Sequence, residues 1–128
     1  MTVPFWCVVA VMLMPIVLAL SGIPVRVRAL GDADNKLPRL QIRQLEGMPA
    51  RLFSAQENGW EATIVFATTV VLTHLAGLAP AEAAPYTLAF VALRVVYTVL
   101  YLMNLDVLRS LTFVASMGCV ITLLVKAA

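Results

Sequence analysis

Four stretches of the chain run for about twenty residues with almost no charge, and the polar residues gather between them. The first is Val3 to Val25, 23 residues without a charged side chain. At ~1.5 Å per residue this is enough to cross the hydrocarbon of a bilayer. Met1 to Trp6 contains no Lys or Arg, and the run is longer than the apolar part of a cleaved leader, so a mature helix is expected. Pro15 in its middle removes one backbone hydrogen bond, a loss that membrane helices tolerate. The later runs are Ala62 to Ala81, Ala84 to Met103 and Val107 to Val125. Between the first two, Gly31, Asn35 and Pro38 read as a loop, and Gly47 followed by Pro49 reads as a break and then a helix start. No further breaker appears before Gly77 and Pro80. This second helix is therefore expected to run about 30 residues, or roughly 45 Å, so that its first three turns project from the membrane.

Composition fixes the solvent. The chain is 62% apolar and 12% charged, with a mean hydropathy of +0.94, where a soluble domain carries roughly 25% charged residues. Such a surface suits lipid. Disorder is excluded by the hydrophobicity, and a nucleic-acid module by a net charge of only +2. Four spans of about 20 residues leave room for connections in a chain of 128, whereas a fifth would leave almost none. The expected fold class is all-α: an integral membrane four-helix bundle forming one domain over 1–128, with spans at 3–25, 62–81, 84–103 and 107–125 and a loop at 26–50. Cys7 and Cys119 lie inside apolar runs and read as small buried hydrophobes.

Eleven of the sixteen charges lie between Arg26 and Glu61. Counting Lys and Arg outside the apolar runs gives six in the first connection, none in the second, Arg109 in the third and Lys126 at the C-terminus. Cytoplasmic loops keep the positive excess, so both termini are expected away from the cytoplasm. Trp6, Trp60 and Tyr86 fall near span ends, as interfacial aromatic residues do.

Two polar stripes stand out against this background. Arg51, Asn58 and Glu61, spaced by seven and three, share one helix face; so do Arg94, Tyr97 and Tyr101, spaced by three and four. Both stripes end near Arg109, so one site can include all seven residues if the last three spans pack together. Each has a structural alternative. Arg51 at the membrane surface suits a lipid phosphate, Asn58 and Glu61 suit interhelical contacts, and the two tyrosines suit packing as well as hydrogen bonding. Arg94 is the sharpest feature, because a mid-bilayer Arg costs about 2.5 to 3.5 kcal/mol and faces a bundle interior or a wet cavity. Its structural alternative is an ion pair with Glu61. His74 has no second metal ligand at helical spacing and reads as packing. No nucleotide loop, hydrolase triad or zinc motif is present.

Taken in order, Asp34-Asn35-Lys36-Leu37-Pro38-Arg39, the pattern R-x6-N-x2-E over Arg51 to Glu61, and Arg94-x2-Tyr97-x3-Tyr101 followed by Arg109 resemble the membrane-associated proteins in eicosanoid and glutathione metabolism, the MAPEG family. The resemblance covers nearly the whole chain and is strongest to small bacterial members. It implies a homotrimer in the cell membrane, with glutathione as co-substrate bound between subunits near the cytoplasmic face. It also implies a glutathione-dependent transferase or peroxidase acting on a lipophilic small molecule. Arg51, Asn58, Glu61, Arg94, Tyr97 and Tyr101 would hold the tripeptide and Arg109 would activate its thiol. Two positions depart from the glutathione-using members: Ser54 stands where they carry an Arg, and Ala62 where a Tyr or other large residue often follows the Glu. A noncatalytic or differently liganded protein on the same scaffold is therefore the alternative. A small multidrug transporter would carry a carboxylate in its first span, and Val3 to Val25 has none.

Overall fold

A computed structural model describes all residues, 1–128. Five helices follow one another: α1 (Val3–Leu30), α2 (Pro38–Ile42), α3 (Gly47–Leu75), α4 (Pro80–Leu102) and α5 (Asp106–Ala127). There are no strands. The four long helices form a bundle in which α1 packs chiefly on α3 and α4 chiefly on α5, and α1 also meets α4. One end of the bundle gathers the close of α1, the short α2, the start of α3 and the α4–α5 turn around Leu45, Leu52 and Phe53; we call this the polar end. The far end is closed by Leu78, Ala83 and Leu123.

Between these ends lies a core of Cys7, Val11, Ala62, Phe66, Val70, Phe90 and Val120. The rings of Phe66 and Phe90 stack 4.1 Å apart at its centre. Two glycines set how closely α1 approaches α3. A Cβ on Gly59 would lie 3.0 Å from Pro15, and one on Gly22 would lie 2.6 Å from the Phe53 ring. Small residues at such crossings let helix backbones approach closely in lipid. The contact is polar as well: Thr63 Oγ1 donates to the Gly59 carbonyl at 2.8 Å, within 3.3 Å of the Val11 carbonyl on α1. Thr69, Thr73, Thr98 and Thr122 similarly donate to carbonyls one turn back, so their hydroxyls enter apolar surroundings satisfied.

Only 25 of the 128 residues are buried, while large apolar side chains along α1, α3, α4 and α5 face outward. An exterior of that kind needs lipid or further protein. By length and composition, α1, α4 and α5 can cross a membrane.

The helix boundaries correct several sequence expectations. α1 continues to Leu30, five residues past the expected span, because charge ends a span but does not end a helix; Gly31, at φ 89°, ends it. The segment expected as loop 26–50 also contains α2. Asp34 Oδ1 accepts from the Lys36 and Leu37 amides at 2.8 and 3.4 Å, and Pro38 supplies the first helical φ. α3 starts at Gly47, two residues earlier than expected. It stops at Leu75, so the expected run to Ala81 is broken by a turn. The turn is a Schellman closure: the Gly77 amide donates to His74 O and the Leu78 amide to Thr73 O, with Gly77 at φ 93°. Within α3 the charge-free part, Ala62 to Leu75, spans only about 20 Å. α4 begins at Pro80, four residues before the expected span, because Pro80 supplies the first helical φ; Pro85, inside the helix, removes one backbone hydrogen bond without ending it.

Candidate functional site

The two polar stripes meet where α3, α4 and α5 come together. Arg94, 2% exposed, projects from the middle of α4, and its Nη2 donates to Asn58 Oδ1 on α3 at 2.5 Å. The Asn58 amide in turn donates from Nδ2 to Glu61 Oε2 at 3.2 Å. The ion pair with Glu61 that the sequence offered as the structural alternative for Arg94 is thus replaced by a relay through an amide. Asn58 suits the position because one side chain supplies an acceptor to the guanidinium and a donor to the carboxylate.

From Arg94 the seam continues down α4. The Arg94 guanidinium lies over the Tyr97 ring at 4.1 Å from its centroid. Tyr97 meets Tyr101 edge to face at 5.7 Å, and the Arg109 guanidinium of α5 sits over the Tyr101 ring at 4.3 Å. Both cations are within the ~6 Å over which an aromatic face attracts them. Glu61, Asn58, Arg94, Tyr97, Tyr101 and Arg109 therefore form one continuous line. Its middle is shielded, with Tyr97 5% exposed, whereas Glu61 at one end is exposed and Arg109 at the other is half-buried. Arg94 Nη1 is buried with no hydrogen-bond partner. A guanidinium nitrogen withdrawn from water in that way is an unsatisfied donor, which an acceptor brought beside it would stabilise.

Arg51 stands apart from the line. Its Nε donates to the Leu102 carbonyl at 3.2 Å, one of the carbonyls that the end of α4 leaves free. The bond ties the start of α3 to the residue after Tyr101, so Arg51 borders the Tyr101 end of the seam. Asn104 shapes the turn that brings Arg109 back to Tyr101. At φ 62° it occupies the left-handed region, and the Leu105 amide closes on Leu100 O at 3.0 Å. His74 packs edge-on against Phe5 at 5.1 Å.

Two buried polar residues were not singled out in the sequence. Gln41, 8% exposed, receives the Asp34 amide on Oε1 at 2.9 Å and donates from Nε2 to Asp32 Oδ1 at 2.7 Å, which pins the loop before α2. Arg26 is 8% exposed although it reads as a loop charge. Arg26 follows the first apolar run directly, but Gly22 and Pro24 just before it read as breakers, and only the structure shows α1 continuing through them to carry Arg26 inward. Gln41 offered no signal.

No curated protein and no solved structure matches the chain. The model described as "MAPEG family" matches residues 3–128, from the first residue of α1 to the C-terminus and across every residue of the seam. The chain is a membrane protein and belongs to the MAPEG family.

Proposed function

We propose that the protein is a membrane-bound, glutathione-dependent transferase or peroxidase acting on lipophilic electrophiles, working as a homotrimer of four-span protomers in the cell membrane. The observation that carries this reading is the unbroken seam from Glu61 to Arg109, which supplies two guanidiniums, an amide, a carboxylate and two phenols in one line. Glutathione presents two carboxylates, an ammonium and a thiol. Charge-assisted hydrogen bonds match Arg94 and Arg51 to the carboxylates and Glu61 to the ammonium, with Asn58, Tyr97 and Tyr101 completing the contacts. Arg109, held over Tyr101, stands where a cation favours the thiolate, which is the nucleophile.

In the transferase reaction the thiol loses its proton to water. The thiolate pair forms the C–S bond as the leaving group departs with its own bonding pair. With a hydroperoxide, the thiolate attacks the terminal oxygen and the O–O bond breaks to give an alcohol and a sulfenic acid. A second glutathione then converts the sulfenic acid to the disulfide and water. The apolar exterior lets a lipophilic substrate approach through the bilayer.

The test is ultraviolet titration of the purified protein with glutathione. Wild type develops thiolate absorbance, and Arg109→Ala loses about tenfold in thiolate fraction at fixed pH, the equivalent of one pKa unit. An undiminished signal in Arg109→Ala would remove Arg109 from the mechanism, and no signal in wild type would overturn the reading. Ser54 and the engagement of Arg51 with the Leu102 carbonyl favour a second reading, in which the seam serves assembly alone. That reading gains support if the trimer persists while glutathione neither binds nor ionises.

A further inference from the structure

Pro15 is fully buried near the middle of α1. Having no amide hydrogen, it leaves the carbonyl of Val11, four residues back, without its helical donor. In lipid a freed carbonyl has to be satisfied by a neighbouring group, and a Ser or Thr hydroxyl is one that can do so. Thr63 of α3 stands in that place. Its Oγ1 lies 3.3 Å from the Val11 carbonyl and 2.8 Å from the Gly59 carbonyl of its own helix. A hydroxyl carries one proton, so it serves the two carbonyls by sharing or by turns. Gly59, one turn before Thr63, receives the Pro15 ring, where a Cβ would lie only 3.0 Å away. The ring and the carbonyl it frees therefore meet the same short stretch of α3. Pro24 and Pro85 free the carbonyls of Leu20 and Ala81 in the same way, yet no side chain donates to either.

On its other side, at the same level, α1 borders an open groove of about 360 Å³, where Leu13, Met14 and Val17 face Val95 and Thr98 of α4. The Thr98 hydroxyl already donates to the Arg94 carbonyl at 3.0 Å, so these walls suit hydrocarbon and nothing that needs a hydrogen bond. Leu13 and Val17 lie roughly 160° around α1 from Pro15. A proline ring pushes away the carbonyl four residues back and opens the helix on the ring's side, here the side of α3. Bending at that point moves the opposite face, which is the groove wall. We infer that α1 hinges at Pro15 with the Thr63 hydroxyl as its latch, and that the bend sets the width of the apolar groove between α1 and α4. With the Thr63 proton on the Val11 carbonyl the joint is held; with the proton on the Gly59 carbonyl α1 is free to bend. The hinge stands independently of the thiol-binding reading of the seam.

The experiment is hydrogen exchange of the full chain, read by mass spectrometry on the α1 segment Val11 to Ala19. A second readout is labelling of Met14 and Thr98, both half-buried in the groove, by a carbene from an apolar diazirine dissolved in the bilayer. Thr63→Val is expected to speed exchange of that segment about fivefold, the worth of one net hydrogen bond, and to raise labelling at both groove positions. Thr63→Ser keeps the hydroxyl and matches wild type. Pro15→Ala returns an amide donor to the Val11 carbonyl, so exchange falls below wild type and Thr63→Val has no further effect in that background. Pro15→Ala alone also decides the matter where Thr63→Val does not assemble, because exchange equal to or faster than wild type contradicts the hinge. Wild-type exchange in Thr63→Val would overturn the latch, as would an increase that persists undiminished beside Pro15→Ala. An increase spread evenly over α4 and α5 would be general loosening, and it too would overturn the inference. Faster exchange in α1 with unchanged labelling at Met14 and Thr98 would separate the hinge from the groove and defeat the proposed link.

Discussion

Arg94 is the residue on which the seam depends. Its position in mid-run marked it as costly in the sequence, and its burial at 2% exposure confirms that the bundle has drawn it inside. What the sequence did not disclose was its partner. Glu61 was the obvious counter-charge, yet Asn58 takes the direct bond, because three-residue spacing on α3 lets one amide face both charges. Removing the amide strands the guanidinium. Asn58→Ala is therefore expected to destabilise the protein by about 1 to 3 kcal/mol, read by thermal unfolding in detergent, while Glu61→Gln at the exposed end shifts it by less. Arg94→Leu is expected to weaken glutathione binding at least tenfold in calorimetry while the assembly elutes unchanged, because a leucine there removes the buried charge along with its ligand bond. Loss of the assembly with undiminished binding in the surviving protein would make Arg94 structural.

At the scale of elements, the spans were legible and their ends were not. Charge-poor apolar runs located α1, α4 and α5, since hydrocarbon admits few alternatives. The short α2 was read as loop because its order comes from Asp34 and Gln41 side chains folding back on the backbone, which no periodicity reports. The end of α3 depended on whether Gly77 would leave the helical region, a choice settled by the closing bonds to Thr73 and His74. Helix contacts carry their own expectations. Gly59→Ala is expected to cost about 1 to 3 kcal/mol, measured by denaturant unfolding, because the added methyl meets the rigid ring of Pro15. In the α4–α5 turn, Asn104→Val should destabilise by about 1 to 2 kcal/mol while Asn104→Gly is nearly neutral, since a β-branched residue resists a φ of 62°. A Val variant as stable as the Gly variant would show that the turn does not hold Arg109 in place.

For the whole molecule, the outward apolar faces and the concentration of charge at one end lead to a topology that a fusion experiment can read. A phosphatase that is active only after export, joined after Ala128, is expected to be active, and one inserted at Asn35 inactive; the reverse pattern would invert the bundle. The order of groups along the seam has a further consequence, which is a length. Arg94 and Tyr101 are seven residues apart on one helix, about 10 Å, which is close to the reach of three extended residues. Glu61 continues the line at one end and Arg109 at the other. Under the proposed function that stretch selects for chain length: a tripeptide thiol is expected to reach from Arg94 to Tyr101, whereas free cysteine would reach one of them and forfeit the gain of joining two contacts in a single molecule.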